Sequence, residues 1–299
     1  MTFPLYDSPI TNDIRIIFVD FDGTIKPAGA QVCQADIETT HKLKALGIVR
    51  VVATGRGLYS FQRDYPDKFD LDYLLFSSGL GLCPWENGPG PLSLSGSFTA
   101  SDRERVLNAS LKIKRGFFAF EPPPRCHFHV YQYPDGHPPT EGFLSRLKSY
   151  ARFTEPYKPG LDLGRRSEFL IPAPSSDMPE VKRQFEKLCP GVSVLRSSSP
   201  YGDDSMWLEI FPPGINKGAT AKFLADGLNF SAQQALALGN DFNDLELLSW
   251  AGLALVTENA PPDLKNLFPH IPAVTEKPLT YVLNLITAGL SHKNHKNGF

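Results

Sequence analysis

Short runs of large apolar residues, each ending in polar or small residues, recur along the chain and predict buried strands. The run Ile16–Val19 has no polar position, which is typical of a parallel strand buried on both faces. By the same pattern we predict core strands at residues 15–20, 50–54, 73–77, 235–239, 253–256 and 271–274. Helical segments fall between or after them, at residues 36–46, 217–228, 244–250 and 280–290. Such alternation predicts an α/β fold with a parallel sheet covered on both faces.

The middle of the chain does not follow this alternation. Thr54 and Lys217 are 163 positions apart, whereas a strand–helix–strand crossover needs only about 30 residues. Of the 27 prolines, 18 lie between Pro84 and Pro213, where they interrupt any long element. We therefore predict a core of residues 1–83 and 213–299 and a loop-rich α/β module inserted at residues 84–212. Within the module we predict helices at residues 103–113, 141–150 and 178–188 and strands at residues 127–133, 168–172 and 207–211.

The strand at residues 15–20 ends in two acids and a glycine, Asp20-Phe21-Asp22-Gly23. In open α/β sheets, ligands bind just beyond the carboxyl ends of the strands. Two carboxylates there can divide the work, because one can attack as a nucleophile or bind a hard cation while the other moves a proton. Taken alone, these residues are equally well explained as an acidic turn without chemistry, since Asp-Gly is a common turn sequence.

Three further segments at predicted strand or helix ends favour the chemical interpretation. Thr54-Gly55-Arg56 follows the second strand, Asn216-Lys217-Gly218 opens a helix, and Gly239–Asp244 follows a third strand. Together they add a hydroxyl, an ammonium group and further carboxylates to Asp20 and Asp22. This combination suits a phosphoryl group with a divalent cation, because positive groups neutralise charge, hydroxyl and N–H groups hold oxygens, and a carboxylate attacks.

In this order, the four segments resemble the four motifs of the haloacid dehalogenase-like phosphatases. They are most similar to the Cof-type and sucrose-phosphatase-like branch, in which an α/β cap is inserted between motifs two and three. The resemblance covers about residues 12–82 and 207–285, and its most specific part runs from Trp207 through Gly252 to Asn259 and Ala260. It implies a Rossmann-like parallel-sheet core with an inserted α+β cap that determines substrate specificity.

The resemblance also implies a role for each matching residue. Asp20 stands at the position of the nucleophile that forms an aspartyl-phosphate, and Asp22 at that of the general acid/base. Thr54 matches the hydroxyl that holds a phosphate oxygen, and Lys217 matches the cation that pins the phosphate. In the family, the nucleophilic carboxylate and the backbone carbonyl at the position of Asp22 bind Mg²⁺, so we expect Mg²⁺ as the cofactor.

The fourth motif departs from the family pattern. The family usually has Gly-Asp-x-x-Asn-Asp there, and this chain has Gly239-Asn240-Asp241-Phe242-Asn243-Asp244. Asn240 thus stands where the metal-binding carboxylate normally is, and an amide oxygen can bind Mg²⁺ but adds no negative charge. Either Asn240 is the ligand, with reduced affinity, or the neighbouring Asp241 reaches the metal and restores the charge. Asp244 would then support the ligands from the next layer outward.

Other residues are weaker candidates for substrate or metal binding. Gly55 and Arg56 resemble the Thr-Gly-Arg of sugar-phosphate members of the family, although a solvated, salt-bridging Arg56 explains the sequence equally well. Asn243 either contacts substrate or caps the helix predicted to start at Asp244. In the module, Cys126-His127-Phe128-His129 could bind zinc. Strand alternation places both histidines on one face and the cysteine on the other, which favours a strand with polar residues toward the cleft.

Composition and charge further limit the partners and the cellular setting that we expect for this protein. A chain of 299 residues predicts about two domains, and a net charge of -2 gives no reason to expect nucleic acid or an anionic membrane as a partner. No apolar run reaches the roughly 18–20 residues of a spanning helix, and residues 1–13 do not resemble a signal peptide. The four scattered cysteines fit free thiols in a reducing cytoplasm. The polar tail at residues 291–299 is expected to be mobile, and the oligomeric state stays open.

We therefore predict a Mg²⁺-dependent phosphomonoester hydrolase that acts on a small phosphorylated metabolite. A sugar phosphate is the expected class, because an inserted lid closes over small substrates and excludes water. A phosphomutase or phosphotransferase on the same fold is the first alternative, with a sugar hydroxyl in place of water. The second is a sugar-phosphate-binding protein that has lost turnover through Asn240.

Overall fold

The computed structural model describes residues 3–161 and 163–296. Within them the strands are β1 (Ile16–Val19), β2 (Val49–Ala53), β3 (Tyr73–Phe76), β4 (Gly81–Pro84), β5 (Ser93–Leu94), β6 (Phe117–Phe120), β7 (His129–Gln132), β8 (Thr154–Pro156), β9 (Glu168–Pro174), β10 (Ser193–Ser198), β11 (Ser205–Phe211), β12 (Ala235–Gly239), β13 (Leu253–Thr257) and β14 (His270–Ile271). The helices are α1 (Gln34–Ala45), α2 (Leu58–Asp64), α3 (Ala100–Ile113), α4 (Glu141–Ser149), α5 (Met178–Leu188), α6 (Lys217–Gly227), α7 (Leu245–Trp250), α8 (Pro262–Lys265) and α9 (Pro278–Lys296).

The chain divides into two compact units. The first contains the described residues up to Gly55, Asp64–Ser93 and those from Lys217 onward. The second contains Arg56–Arg63 and Leu94–Asn216. Each unit has its own sheet and its own apolar core.

The first unit is built on an eight-stranded sheet with the order β14-β13-β12-β1-β2-β3-β4-β5. Strand β1 pairs in parallel with β2 and β12, and β4 runs antiparallel to β3. All four residues of β1 are buried, as an uninterrupted apolar run predicts for a central parallel strand. The core beneath the sheet combines strand residues such as Phe18 with Leu247 and Leu248 of α7. The predicted α/β class with a parallel core is therefore confirmed.

The predicted core elements agree with the structure in most places. Five predicted strands correspond to β1, β2, β3, β12 and β13 within a few residues. The strand expected at residues 271–274 is wrong, because β14 ends at Ile271 and the next residue is Pro272, which has no N–H to continue a ladder. Helix α9 continues beyond the predicted residue 290 to Lys296. The rest of the tail expected to be mobile, residues 297–299, lies outside the described residues.

The second unit contains a six-stranded sheet with the order β10-β11-β9-β6-β7-β8, antiparallel except where β8 joins β7. One face packs against α3 and α5 through residues such as Val106, Phe169 and Phe185. The other face carries Phe118, Phe120 and Trp207, against which Phe143 of α4 packs. The three helices predicted for the module are present as α3, α4 and α5, whereas β6, β8 and β10 were not predicted.

The unit boundaries differ from the expected module at residues 84–212. The chain from Pro84 to Ser93 stays with the first unit, because β4 and β5 extend its sheet. The segment Arg56–Arg63, expected in the core, belongs to the second unit, where Tyr59 stacks on His127 with ring centroids 4.3 Å apart. Sheet pairing and ring packing, rather than proline spacing, therefore decide where each segment belongs.

The structure bears on two expectations from composition, those for membrane-spanning helices and for the cysteines. None of the described helices is both long and apolar enough to cross a bilayer. The cysteines Cys33, Cys83, Cys126 and Cys189 all carry free thiols.

Candidate functional site

The register of three parallel strands brings the predicted site residues to one edge of the first sheet. Val19 of β1 lies opposite Val52 of β2 and Leu238 of β12. The chain therefore leaves these strands at about the same height, at Asp20, Thr54 and Asn240. This is the carboxyl edge of the sheet, where side chains of parallel strands converge on ligands.

Lys217, at the start of α6, joins two of the segments at this edge. Its Nζ donates to Oδ1 of Asp20 at 2.6 Å and to Oδ1 of Asp244 at 2.7 Å. The lysine and Asp244 side chains are completely buried. Nζ also lies 3.4 Å from Oδ1 of Asn243. One ammonium group is thus shared by two carboxylates in the interior, where both charges need partners.

The close approach of α6 to α7 depends on a glycine next to this lysine. A Cβ on Gly218 would lie 2.5 Å from the backbone carbon and oxygen of Glu246. Because backbone atoms cannot move aside as a flexible side chain can, only glycine allows this packing. The close packing of α6 on α7 places Lys217 next to the loop that precedes α7.

Asp244 organises the loop that follows β12. Its Oδ2 accepts from the backbone N–H of Asn240 at 2.9 Å and of Asp241 at 3.1 Å, while its Oδ1 holds Lys217. The carboxylate of Asp241 accepts from the N–H of Phe242 at 2.8 Å and caps the short 3-10 turn Phe242–Asp244. Asp244 therefore lies where the sequence analysis expects a supporting residue.

Burial and the charges in this cluster shift the pKa values of Asp20 and Lys217. Burial, reinforced by the like charge of Asp244, raises the pKa of Asp20 above its ordinary value, against the attraction of Lys217. Burial acts to lower the pKa of Lys217, but Asp20 and Asp244 outweigh it and raise that pKa. Lys217 is therefore charged, and two carboxylates face a single ammonium group. The excess of negative charge favours a cation at this edge.

A second set of contacts surrounds the other oxygen of Asp20. Thr24 Oγ1 donates to Asp20 Oδ2 at 3.0 Å. One terminal atom of the Asn240 carboxamide lies 2.8 Å from the carbonyl oxygen of Asp22, 2.9 Å from Thr24 Oγ1 and 3.1 Å from Asp20 Oδ2. The Asp22 carbonyl and the Asp20 carboxylate can only accept hydrogen bonds, whereas the Thr24 hydroxyl can donate or accept, so the amide nitrogen is the atom that can hydrogen-bond to all three. Of the two residues considered as the third metal ligand, Asn240 is the one whose side chain reaches Asp20 and Asp22.

The turn after β1 makes this approach possible. Gly23 has φ of +75°, and a Cβ there would lie 2.4 Å from a terminal atom of the Asn240 amide. The carbonyl oxygen of Gly23 accepts from Asn259 Nδ2 at 2.8 Å. Thr24 and Asn259 are thus parts of the site that the sequence analysis did not assign, although Thr24 directly follows the Asp-x-Asp-Gly sequence.

The oxygens at this position fit a small, hard cation. With the amide oxygen facing inward, Asn240 would join Asp20 Oδ2 and the Asp22 carbonyl, at separations of 2.8 and 3.1 Å. Ligands that share an octahedral cation at about 2.1 Å are separated by about 3.0 Å along each edge. Only Asp20 contributes a charged ligand. Correspondingly, the described part of the chain contains no group of three or more histidine, cysteine, aspartate or glutamate side chains arranged to hold a metal.

The remaining predicted residues are divided between the units. Thr54 is buried at the end of β2 and donates its N–H to the carbonyl of Leu75 at 2.8 Å. Gly55 is the last residue of its segment of the first unit, and Arg56 begins the segment that belongs to the second. Arg56 Nη1 donates to the carbonyl of Ser60 at 3.2 Å. Asn243 lies inside the 3-10 turn and not at its cap, which is Asp241.

The second unit holds half-buried charges that the sequence analysis missed. The Arg146 guanidinium lies 4.6 Å from the centre of the Phe120 ring and 5.3 Å from that of Trp207. Among the described residues, no carboxylate lies within ion-pair distance of Arg146, and none donates a hydrogen bond to Glu168. Burial, together with the charge of Glu209, raises the pKa of Glu168 to about 8, although Arg146 acts in the opposite direction. No sequence motif marks these residues, since sheet pairing alone brings them together.

The zinc alternative for residues 126–129 does not suit the structure. His129 Nδ1 lies 3.0 Å from the carbonyl of His127, and its Nε2 lies 3.0 Å from Thr154 Oγ1. Both ring nitrogens are therefore already engaged. Burial, with the charge of Arg146, lowers the pKa of His129.

Comparisons with known proteins agree with this fold. A family model described as haloacid dehalogenase-like hydrolase matches residues 161–278. The HMP-PP phosphatase of Yersinia pseudotuberculosis is 27% identical over an alignment of 267 residues that covers 86% of this chain and 88% of that protein. A phosphatase of the haloalkanoate (HAD) superfamily from Bacteroides thetaiotaomicron has a TM-score of 0.70 at 17% identity, covering 91% of this chain and 94% of that one. A HAD subclass IIB sugar phosphatase has a TM-score of 0.68 at 14% identity, covering 90% and 98%. At these identities the two structures establish the fold.

We expect Lys217→Met to destabilise the protein by about 3–5 kcal/mol, because it leaves two carboxylates buried without their cation. Lys222→Met is the matched control, since it removes an exposed lysine of the same helix that pairs with Asp226 and should cost less than about 1 kcal/mol. Urea unfolding of both variants measures the difference. Equal losses would contradict the central role of Lys217.

Glu168→Gln should flatten the dependence of stability on pH. The folded state binds the Glu168 proton more tightly than the unfolded chain, so ionisation destabilises the protein progressively between the ordinary pKa of 4.5 and about 8. Urea midpoints of the wild type should therefore fall relative to those of the variant from pH about 5 to pH about 8.5. Glu104→Gln, at an exposed position on α3, is the control and should follow the wild type. Parallel curves for all three proteins would show that Glu168 titrates normally.

Proposed function

We propose that this chain, as a member of the haloacid dehalogenase-like phosphatases, hydrolyses phosphomonoesters of small metabolites through a covalent intermediate on Asp20. One observation carries the proposal. The Lys217 ammonium group lies 2.6 Å from the Asp20 carboxylate and 2.7 Å from that of Asp244, at the carboxyl end of a central parallel strand. A buried carboxylate held next to a fixed cation is a suitable nucleophile for phosphorus.

Asp20 and Asp22 divide the chemistry. A carboxylate oxygen of Asp20 bonds to phosphorus while the bond from phosphorus to the leaving oxygen breaks, and Asp22 gives its proton to that oxygen. The alcohol leaves, and an aspartyl-phosphate remains on Asp20. Asp22 then takes a proton from water as the water oxygen attacks the same phosphorus. This second step releases phosphate and restores Asp20.

The neighbouring residues offset the charge of the phosphate and position the reacting groups. Lys217 offsets the negative charge that the phosphate brings to Asp20, and Asp244 keeps Lys217 in place. Thr54, at the end of β2, is the proposed hydroxyl for a phosphate oxygen. Gly55, Arg56 and Asn243 remain proposed contacts for substrate.

We propose Mg²⁺ as the cofactor. It would be held by the Asp20 carboxylate, the carbonyl oxygen of Asp22 and the amide oxygen of Asn240, whose spacing suits a hard cation. When bound, it supplies positive charge that reduces the repulsion between the nucleophile and the phosphate. Asp241, the other ligand considered, caps the turn that follows.

The names of similar proteins guide the proposed substrate class. The curated relative is an HMP-PP phosphatase and one structural neighbour is a sugar phosphatase. We propose a small phosphorylated metabolite, with sugar phosphates as the first class to be assayed and HMP-PP as the second. We further propose that the second unit carries the determinants of specificity and that the protein works in the cytoplasm, where its free thiols would stay reduced.

We expect Asp20→Asn to abolish hydrolysis of an aryl phosphate while the protein stays folded. An amide cannot form the covalent intermediate, but its oxygen can still accept a hydrogen bond from Lys217. Asp22→Asn should reduce kcat by about 10²–10⁴-fold, because it removes only the proton transfer. Circular dichroism and initial rates with Mg²⁺ or with chelator measure fold and activity.

Asp67→Asn is the control, since this residue is exposed and lies in the same unit. Turnover at the wild-type rate by folded Asp20→Asn would refute the nucleophile. A wild-type protein that binds sugar phosphates but hydrolyses neither aryl nor sugar phosphates would support the binding-protein alternative, which the neutral ligand Asn240 favours. Phosphate found on an added sugar acceptor, rather than in solution, would identify a phosphotransferase.

A further inference from the structure

The Asn240 carboxamide occupies the point where the oxygens of the site converge. We propose that this amide takes two orientations: its nitrogen faces the oxygens in the ion-free protein and replaces the cation, and its oxygen faces them when the cation is bound. The inference rests on the cation-dependent function proposed above. It assigns Asn240 a second role, as the group that keeps the site stable without an ion.

The contacts of the ion-free state require a donor at this position. The inward atom of the amide lies 2.8 Å from the Asp22 carbonyl oxygen, 2.9 Å from Thr24 Oγ1 and 3.1 Å from Asp20 Oδ2. Thr24 has a single hydroxyl proton, which it can give to Asp20 Oδ2 at 3.0 Å or to an inward amide oxygen at 2.9 Å. In either case an inward amide oxygen would face the Asp22 carbonyl oxygen and Asp20 Oδ2 without a proton between them. The nitrogen relieves this repulsion by donating its two protons.

The same spacing accommodates the reverse orientation once positive charge is present. A turn of the amide about its Cβ–Cγ bond exchanges two atoms of nearly equal size. The side chain need not move otherwise, because the Asn240 N–H is held by Asp244 Oδ2 at 2.9 Å and its amide packs closely on Gly23. Separations of 2.8–3.1 Å are those expected between ligands of one small octahedral cation.

An aspartate at this position could not serve both states. Without a cation, its inward oxygen would add a negative charge 3.1 Å from Asp20 Oδ2, where the two like charges would repel each other. With a cation it would bind more tightly than a neutral amide, because it adds a charge to the ligand set. Asparagine thus stabilises the ion-free protein at the expense of cation affinity.

The test compares thermal unfolding of four proteins without substrate, in chelator and across a Mg²⁺ titration. Asn240→Asp should melt below the wild type in chelator and gain more stability from Mg²⁺, with an apparent Kd at least about tenfold tighter. Asn240→Ala, which lacks the donor, should also melt lower in chelator and should not be rescued by Mg²⁺. Asn108→Asp adds the same charge at an exposed position of α3 and should behave as the wild type.

Nuclear magnetic resonance can observe the side-chain NH₂ group of Asn240 directly. The side-chain NH₂ signal that disappears in Asn240→Asp should exchange slowly in the ion-free wild type, and Mg²⁺ should shift it and speed its exchange. If Asn240→Asp cannot be purified without ions, the melting of Asn240→Ala and the NH₂ signal of the wild type test the proposal. Equal melting of the wild type and Asn240→Ala in chelator, or an NH₂ signal that Mg²⁺ leaves unchanged, would overturn the proposal. Since no substrate is present, loss of the proposed hydrolase activity would leave these readouts unaffected.

Discussion

The site depends on one buried ammonium group shared by two carboxylates. Lys217 joins Asp20 at the end of β1 to Asp244 in the loop after β12, with both contacts below 3 Å. Asp244 in turn holds the backbone of Asn240 and Asp241. The interaction therefore fixes the nucleophile candidate, the helix α6 and the loop that carries the proposed third metal ligand at once. Removing Lys217 would leave two buried carboxylates without their cation, which is far more costly than losing a surface ion pair.

This arrangement leaves the two oxygens of Asp20 in different environments. Oδ1 faces Lys217, whereas Oδ2 faces Thr24 and the Asn240 amide. The side of Oδ2 also includes the backbone carbonyl of Asp22, and Asp20 provides the only charged ligand among these groups. A neutral amide in place of a carboxylate lowers the charge available for a divalent cation. The same substitution supplies a hydrogen-bond donor, which a carboxylate lacks.

The second unit presents half-buried charges of a different kind. Arg146 lies over aromatic rings, and the carboxylate of Glu168 on β9 accepts no hydrogen bond from any described residue. Phe120, over which the guanidinium lies, is the direct partner of Glu168 on the neighbouring strand. Charged groups that are buried without close partners lower stability and are found most often at functional positions.

The sequence alone determined the parallel core and the polar segments that follow its strands, because an uninterrupted apolar run such as Ile16–Val19 specifies a doubly buried strand locally. It did not determine which of Asn240 and Asp241 reaches Asp20, since adjacent side chains point in different directions and the loop geometry is set by Asp244 and Lys217. Nor did it locate Arg56–Arg63 in the second unit or bring Arg146 near Glu168. These features depend on contacts between residues far apart in the chain, which no local pattern records and only packing in three dimensions decides.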